Sequence, residues 1–534
     1  MIFSFAALVL LAVLSKELGN QVFTPLSVVL AAGLYLLRLA LDAPRRRAVE
    51  IFLLQFGVLI YALANQEPSY LEHAALVVCL LPTLGRLRAI GRTALGEGSI
   101  LIVLLYVLWS ATWTSNLDMS LAGFAMSALC LAFLLAFVLQ FEGEWDAVFS
   151  HVLVVLAAIW LGSLAAGAMG IGSAGRTFAG VTLHRNHLGF LLGLMILLCL
   201  FNARFHFSWR AVAGAVAAAA LLVYIDSKSS IIAIVATALL LWVVSARRWK
   251  LYMGVLALGV AVFVTALPSP KWDHFALWMG RDPTFTSRTE IWAGSIGLAS
   301  EQPLTGYGYN AVWSAHENRL AQYPDAPGPR YAHAHNAWID WVLQLGLGGL
   351  AVYLLFLGVL LRRAWHRGRT PGGLPVAIQA GCLLSYIQIY DLANVSTVPV
   401  TRFGFFMLAA ASLSLWLGAQ AEQRERLRWT LQGADASAGA NDIGPGTRPP
   451  RRRWAQALAL LLAGFAAVAA YAIWEDGQRF AATERRGKPA PNGVADAGYL
   501  DPREFQWKGV KALDDYARRH RQALLETMKR SESP

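Results

Sequence analysis

MSLAGFAMSALCLAFLLAFVLQ, residues Met119–Gln140, runs for 22 residues without a charged side chain. About 20 predominantly apolar residues carry a helix across the hydrocarbon core of a bilayer, so this stretch reads as a membrane span. Its apolar side chains form neither the two-residue alternation of a barrel strand nor the stripe of an amphipathic helix. Similar runs recur at 2–14, 21–38, 49–64, 70–84, 99–114, 147–169, 187–203, 209–225, 230–245, 250–267, 336–361, 374–391, 403–418 and 454–474. Composition agrees. The 534-residue chain is 57% hydrophobic and 15% charged, against about 25% charged in soluble proteins. The expected fold is all-α: a polytopic helical membrane protein of about 12–15 spans.

The net charge of +12 raises nucleic acid as a partner, but the positions of the basic residues argue against it. Most lie in short connections between spans: Arg45–Arg47, Arg86/Arg88/Arg92, Arg204/Arg210, Arg247/Arg248/Lys250, Arg362/Arg363/Arg367/Arg369 and Arg424 through Arg453. Alternating the spans puts all of these on one side, which the positive-inside rule makes cytoplasmic. The four cysteines, Cys79, Cys130, Cys199 and Cys382, sit inside apolar runs with no metal-ligand spacing and read as small buried residues. The first 14 residues lack a basic leader and a small-residue cleavage site, so a removed signal peptide is not expected.

This topology divides the chain into a membrane domain over 1–419, a flexible Gly/Ala/Pro/Arg-rich cytoplasmic linker over 420–453, a further span at 454–474 and a charged outer tail over 475–534. The opposite face receives the segments 170–186, 226–229, 267–335 and 392–402, of which 267–335 is a large, partly helical loop. No internal repeat is visible, which disfavours a transporter built from two related halves.

Charge on that outer face runs against the topology rule and needs a reason. Arg176, His184, Arg185 and His187 lie beside a span, after glycines that let backbone approach a ligand closely. Lys228, among the hydroxyls of Asp226-Ser227-Lys228-Ser229-Ser230, is held at the membrane boundary. Ser287-Arg288-Thr289-Glu290 has the capping-box pattern and starts an amphipathic helix with Ile291, Trp292 and Ile296 on its apolar side. Arg288 would stand in the first turn, where free N–H groups and the helix dipole favour an anion. Gly306-Tyr307-Gly308 reads as a tight turn suited to sugars or to packing. His333 and His335 share one side of an extended segment. No carboxylate or cysteine offers a third metal ligand at fixed spacing, so a neutral histidine acting as general base fits better than a metal site.

The runs GRTFAG (175–180) and HRNHLG (184–189), DSKSS (226–230), GRDPT (280–284) with RTEIW (288–292), PLTGYG (303–308), and HAHN (333–336) leading to Gly346 resemble, in order, the O-antigen ligase / O-antigen polymerase superfamily. The resemblance covers roughly residues 150–365 and is closest to the exopolysaccharide polymerase branch. It implies a metal-independent, inverting, membrane-embedded glycosyltransferase without cofactor. The donor it implies is a glycan on undecaprenyl pyrophosphate, used at the periplasmic face of the bacterial inner membrane. Arg176 and Arg288 would then bind the pyrophosphate, and His335 would be the base. Arg185, Lys228 and Arg281 are further candidate pyrophosphate ligands. His184, His333, Asn336 and Tyr307 are candidate acceptor or sugar contacts. The expected partners are the lipid-linked donor, a glycan or lipid A-core acceptor, membrane lipids, and polysaccharide export or chain-length proteins. Ligases of this superfamily commonly carry arginine where this chain has Lys228, which favours polymerisation of repeat units over ligation to a foreign acceptor. A flippase for anionic lipid is the reading from another class.

Overall fold

A computed structural model of the chain describes residues 2–63, 70–174, 177–182, 184–205, 208–245, 288–313, 333–398 and 400–435. The expected spans 250–267 and 454–474, the linker beyond 435, the tail, Arg176 and Arg281 lie outside these residues. The helices are α1 (Ile2–Leu39), α2 (Ala43–Leu63), α3 (Tyr70–Leu80), α4 (Leu87–Glu97), α5 (Ser99–Trp109), α6 (Leu117–Gln140), α7 (Trp145–Ala168), α8 (Arg185–Phe205), α9 (Trp209–Tyr224), α10 (Lys228–Ser245), α11 (Arg288–Glu301), α12 (Ala337–Gly368), α13 (Leu374–Tyr390) and α14 (Phe403–Asp435). The strands β1 (Ser173–Ala174) and β2 (Thr177–Phe178) form a minimal antiparallel hairpin, with Ser173 opposite Phe178.

The protein is a helical, multi-pass membrane protein. Among the described residues, α6, α7, α12 and the first part of α14 are long and apolar enough to cross a bilayer. A fifth span is present if the pair Ala74–Thr83 and Arg88–Glu97, bent by 106°, counts as one. The other apolar helices, such as α9 and the stretch Pro25–Leu39, run 10–17 residues. At about 1.5 Å per residue they fall short of a roughly 30 Å core. Two of the differences from the expected boundaries change how segments connect. The runs 2–14 and 21–38 join into α1, with Pro25 inside it. Residues 420–435 continue α14 instead of opening a linker, because Ala, Gln, Glu, Arg and Leu are strong helix formers and Glu422 pairs with Arg367.

Helix α12 connects two polar clusters among the described residues. It is interrupted at Gly346 (φ 66°, ψ −173°), and the turn before it in sequence fills the interruption. Tyr307 and Gly308 N–H groups donate to the carbonyls of Leu343 and Gln344 at 3.1 and 2.9 Å. Leu347 and Gly348 N–H groups donate to those of Pro303 and Leu304 at 2.7 and 3.2 Å. The close approach needs glycine: a Cβ on Gly346 would stand 2.2 Å from the Leu304 oxygen. Gly346→Val is therefore expected to destabilise the protein by about 2 kcal/mol or more, from left-handed strain plus overlap. Thermal unfolding in detergent reads this directly.

The far end of α12 carries a buried ion pair between Arg363 and Glu97. Glu97 also accepts from Ser99 Oγ at 2.6 Å and from the Ile100 N–H at 2.8 Å, and Ser412 Oγ donates to it at 3.2 Å. The basic cluster at Arg363 and the histidines before Ala337 thus lie at opposite ends of one helix.

Candidate functional site

The site forms where helices begin. Helices α8, α11 and α12 meet the 391–397 segment, which follows α13, with their N-terminal ends, and the start of α10 joins them through Asn186. Asn186, in the first turn of α8, donates from Nδ2 to Asn394 Oδ1 at 3.4 Å and accepts from Ser227 Oγ, just before α10, at 3.4 Å. Arg288, the first residue of α11, donates from Nη1 to the Ala393 carbonyl. The Ala337 N–H, opening α12, donates to the carbonyls of Asp391 and Asn394 at 2.9 and 3.0 Å. Asn336 caps α12 by accepting the N–H groups of Trp338 and Ile339, and its Nδ2 donates to the Leu392 carbonyl at 3.0 Å. Each helix start presents N–H groups and a partial positive charge, and three bring a cation: Arg185, Lys228 and Arg288.

The histidine loop is held rigidly beside them. The Ala334 N–H donates to Asp340 Oδ2 at 3.2 Å, and its carbonyl accepts Trp292 Nε1–H at 3.0 Å. Asp340, wholly buried in α12, also accepts Trp313 Nε1–H at 2.9 Å. So fastened, His335 takes a left-handed backbone (φ 53°), which replaces the extended segment expected from sequence. Its N–H donates to His333 Nδ1 at 3.1 Å, and the two rings meet edge to face with centroids 4.2 Å apart. His333 is buried while His335 remains half-accessible.

Electrostatics keep both imidazoles neutral. Burial, then the Arg288 guanidinium, His184 and Arg402, push His335 down to about 4. Burial, His335, Arg402 and Arg288 hold His333 well below the usual imidazole range. Partial burial, with Arg185 and Arg288 nearby, lowers His184, whose Nδ1 accepts the Asn186 N–H at 3.1 Å. Burial pushes Asp391 up to about 7, against hydrogen bonds from Thr397 and Ser396. If His335 acts as a base, the acid limb of kcat/KM is expected near pH 4, not near 6.5. The linkage has the same sign. Between pH 6.5 and about 4 the unfolded chain binds the proton that folded His335 refuses, so stability falls as pH falls through that window. A pH–rate profile together with acid unfolding checks both.

The structure thus brings His184, Arg185, Lys228, Arg288, His333, His335 and Asn336 to one end of the helices. Arg185 also lies 4.0 Å from the Asp226 carboxylate, at the limit of an ion pair. Tyr307 is placed differently from a sugar contact. Its ring is 1% exposed, and its hydroxyl donates to the Leu298 carbonyl at 3.2 Å and to Glu301 Oε2 at 2.8 Å. The turn that carries it serves the α12 interruption. Ile296, expected on the apolar side of α11, is 56% exposed, and Ile291, Ser295 and Leu298 face inward instead. The sequence reading overlooked Asp340, Asp391, Asn394 and Arg402. A carboxylate inside an apolar run is costly unless it is used, and that signal was available for Asp340.

Fold and site define a class: a multi-pass helical membrane protein with a cationic, histidine-bearing cluster at helix N-termini. A family model described as O-antigen ligase matches residues 213–354, the part that carries Lys228, Arg288, the histidine loop and the Gly346 interruption. The chain is also 26% identical over 171 residues to the exopolysaccharide production protein ExoQ of Rhizobium meliloti (strain 1021). That alignment covers 31% of this chain and 39% of the relative. By these similarities the chain resembles the O-antigen ligase/polymerase superfamily, near its exopolysaccharide branch.

Proposed function

We propose that the protein is a glycosyltransferase that moves a glycan from a polyprenyl pyrophosphate, such as undecaprenyl pyrophosphate, onto an acceptor sugar at the periplasmic face of the inner membrane. The observation that carries this reading is the convergence of helix N-termini through Asn186, Ala393 and Leu392, with the Arg288 guanidinium close enough to His335 to help hold its imidazole neutral. An anion is the natural occupant of such a place, and a base beside it gives the anion a chemical purpose.

In this reading the acceptor hydroxyl attacks the anomeric carbon from the face opposite the pyrophosphate, which inverts the centre. The bond from that carbon to the phosphate oxygen breaks, and its electron pair leaves with the diphosphate. The hydroxyl proton passes to His335 and then to solvent. The diphosphate gains negative charge as it departs, where Arg288, Lys228 and the helix ends stabilise it. No metal enters the scheme. Arg176 and Arg281 are proposed as further diphosphate ligands from sequence alone.

Lys228 in the short loop points to polymerisation of lipid-linked repeat units, and the relative ExoQ is named for exopolysaccharide production. The description of the matching family favours ligation to lipid A-core or another acceptor. Purified protein incubated with pyrophosphate-linked repeats distinguishes the two. A ladder of lengths is the expected result, a single transfer to a foreign acceptor supports ligation, and no new glycosidic bond refutes both.

A further inference from the structure

Arg402 closes the segment that leads from α13 to α14 and lies outside the stretch matched by the family model, 213–354. Its backbone is anchored from both sides. Two residues earlier, the Val400 N–H donates to Tyr309 Oη at 2.8 Å and Tyr61 Oη donates to the Val400 carbonyl at 3.3 Å. The Arg402 carbonyl accepts the Phe406 N–H at 3.1 Å as α14 begins.

The side chain is half-buried, yet it makes no hydrogen bond and no ion pair with any described residue. None of its nitrogens is among the fully enclosed unpartnered atoms, a group that does include Asn394 Nδ2. The guanidinium therefore opens onto accessible space. The charged and titratable groups within its electrostatic reach are those of the site or of its supports: His187, Tyr309, His333, His335, Asp340, Tyr390 and Asp391. His333, His335 and Tyr390 feel Arg288 and Arg402 alike. Two guanidiniums on different elements thus act on the same three rings. A guanidinium offers five donors in a planar fork, and those of Arg402 face accessible space instead of another side chain. A phosphate oxygen satisfies that fork two donors at a time.

We propose that Arg402 is a second guanidinium ligand of the donor diphosphate, acting with Arg288 on the same anion beside His335. The inference rests on the diphosphate reading of the site. The competing role is that of a counter-charge to Asp340 and Asp391, but neither carboxylate comes within ion-pair distance of it.

The test uses the full-length protein in nanodiscs, titrated with farnesyl diphosphate, inorganic pyrophosphate and farnesol, with thermal unfolding as the check on fold. The wild-type protein is expected to bind farnesyl diphosphate. R402Q should weaken that binding roughly 10-fold or more and leave farnesol binding unchanged. Loss of inorganic pyrophosphate binding in parallel would locate the effect on the diphosphate itself. If R402Q does not fold, R402K decides. It keeps the charge near the carboxylates but loses the fork, so weaker diphosphate binding supports the assignment and unchanged binding overturns it. Folded R402Q that binds farnesyl diphosphate as the wild type does, while R288Q does not, overturns the role of Arg402 alone. Failure of the wild-type protein to bind any diphosphate overturns the site reading and this inference together.

Discussion

Replacing His335 by alanine is expected to lower glycan transfer by roughly 10²–10⁴-fold, the usual share of a positioned general base, without unfolding the protein. The backbone argument makes the result interpretable. His335 is left-handed, a conformation that asparagine and histidine tolerate better than most residues. His335→Asn therefore removes the base at low conformational cost, and it should be as inactive as His335→Ala. The fastenings of the loop, from Asp340 and Trp292 to Ala334, do not involve the His335 ring. Unfolding temperatures close to wild type, measured alongside turnover of a lipid-linked repeat, would assign the loss to chemistry. Normal turnover in His335→Asn would remove the imidazole from the mechanism.

Arg288→Ala should cost about 10²–10³ in kcat, the scale found for removal of one group that stabilises developing charge. Arg288 has two tasks. It donates to the Ala393 carbonyl, and so supports the 391–397 turn. It also lies close enough to the histidines to depress them. Arg288→Lys separates the tasks. The charge survives and the fork is lost, so activity should fall between wild type and Arg288→Ala. A drop confined to KM would mean that the guanidinium holds the ground state only. A drop in kcat ties it to the departing diphosphate.

Long apolar runs made the helices legible in the sequence, because a bilayer permits few alternatives to a helix. Spans such as 119–140, 147–169 and 374–391 reappear within about two residues. Where polar residues interrupt a run the reading was weaker. Ser15 through Asn20 suggested a break, yet α1 continues through them. Arg288 and the HAHN segment stood out as charge and imidazole on a face that should lack basic residues. Asp391 and Asn394 did not, because their importance comes from contacts more than 50 residues distant in sequence, such as the Ala337 N–H with both of their carbonyls. Spacing along the chain contains no trace of such a meeting. Tyr307 shows the converse: a motif visible in sequence whose purpose, locking Gly346, depends on a helix that starts 30 residues later.

The interruption at Gly346 also has a mechanical meaning. The Pro303–Gly308 turn grips α12 on both sides of the break, at Leu343 and Gln344 before it and at Leu347 and Gly348 after it. A break bridged on both sides is a splint and not a hinge, so the turn holds the half of α12 that follows the histidine loop to the half that leads to Arg363.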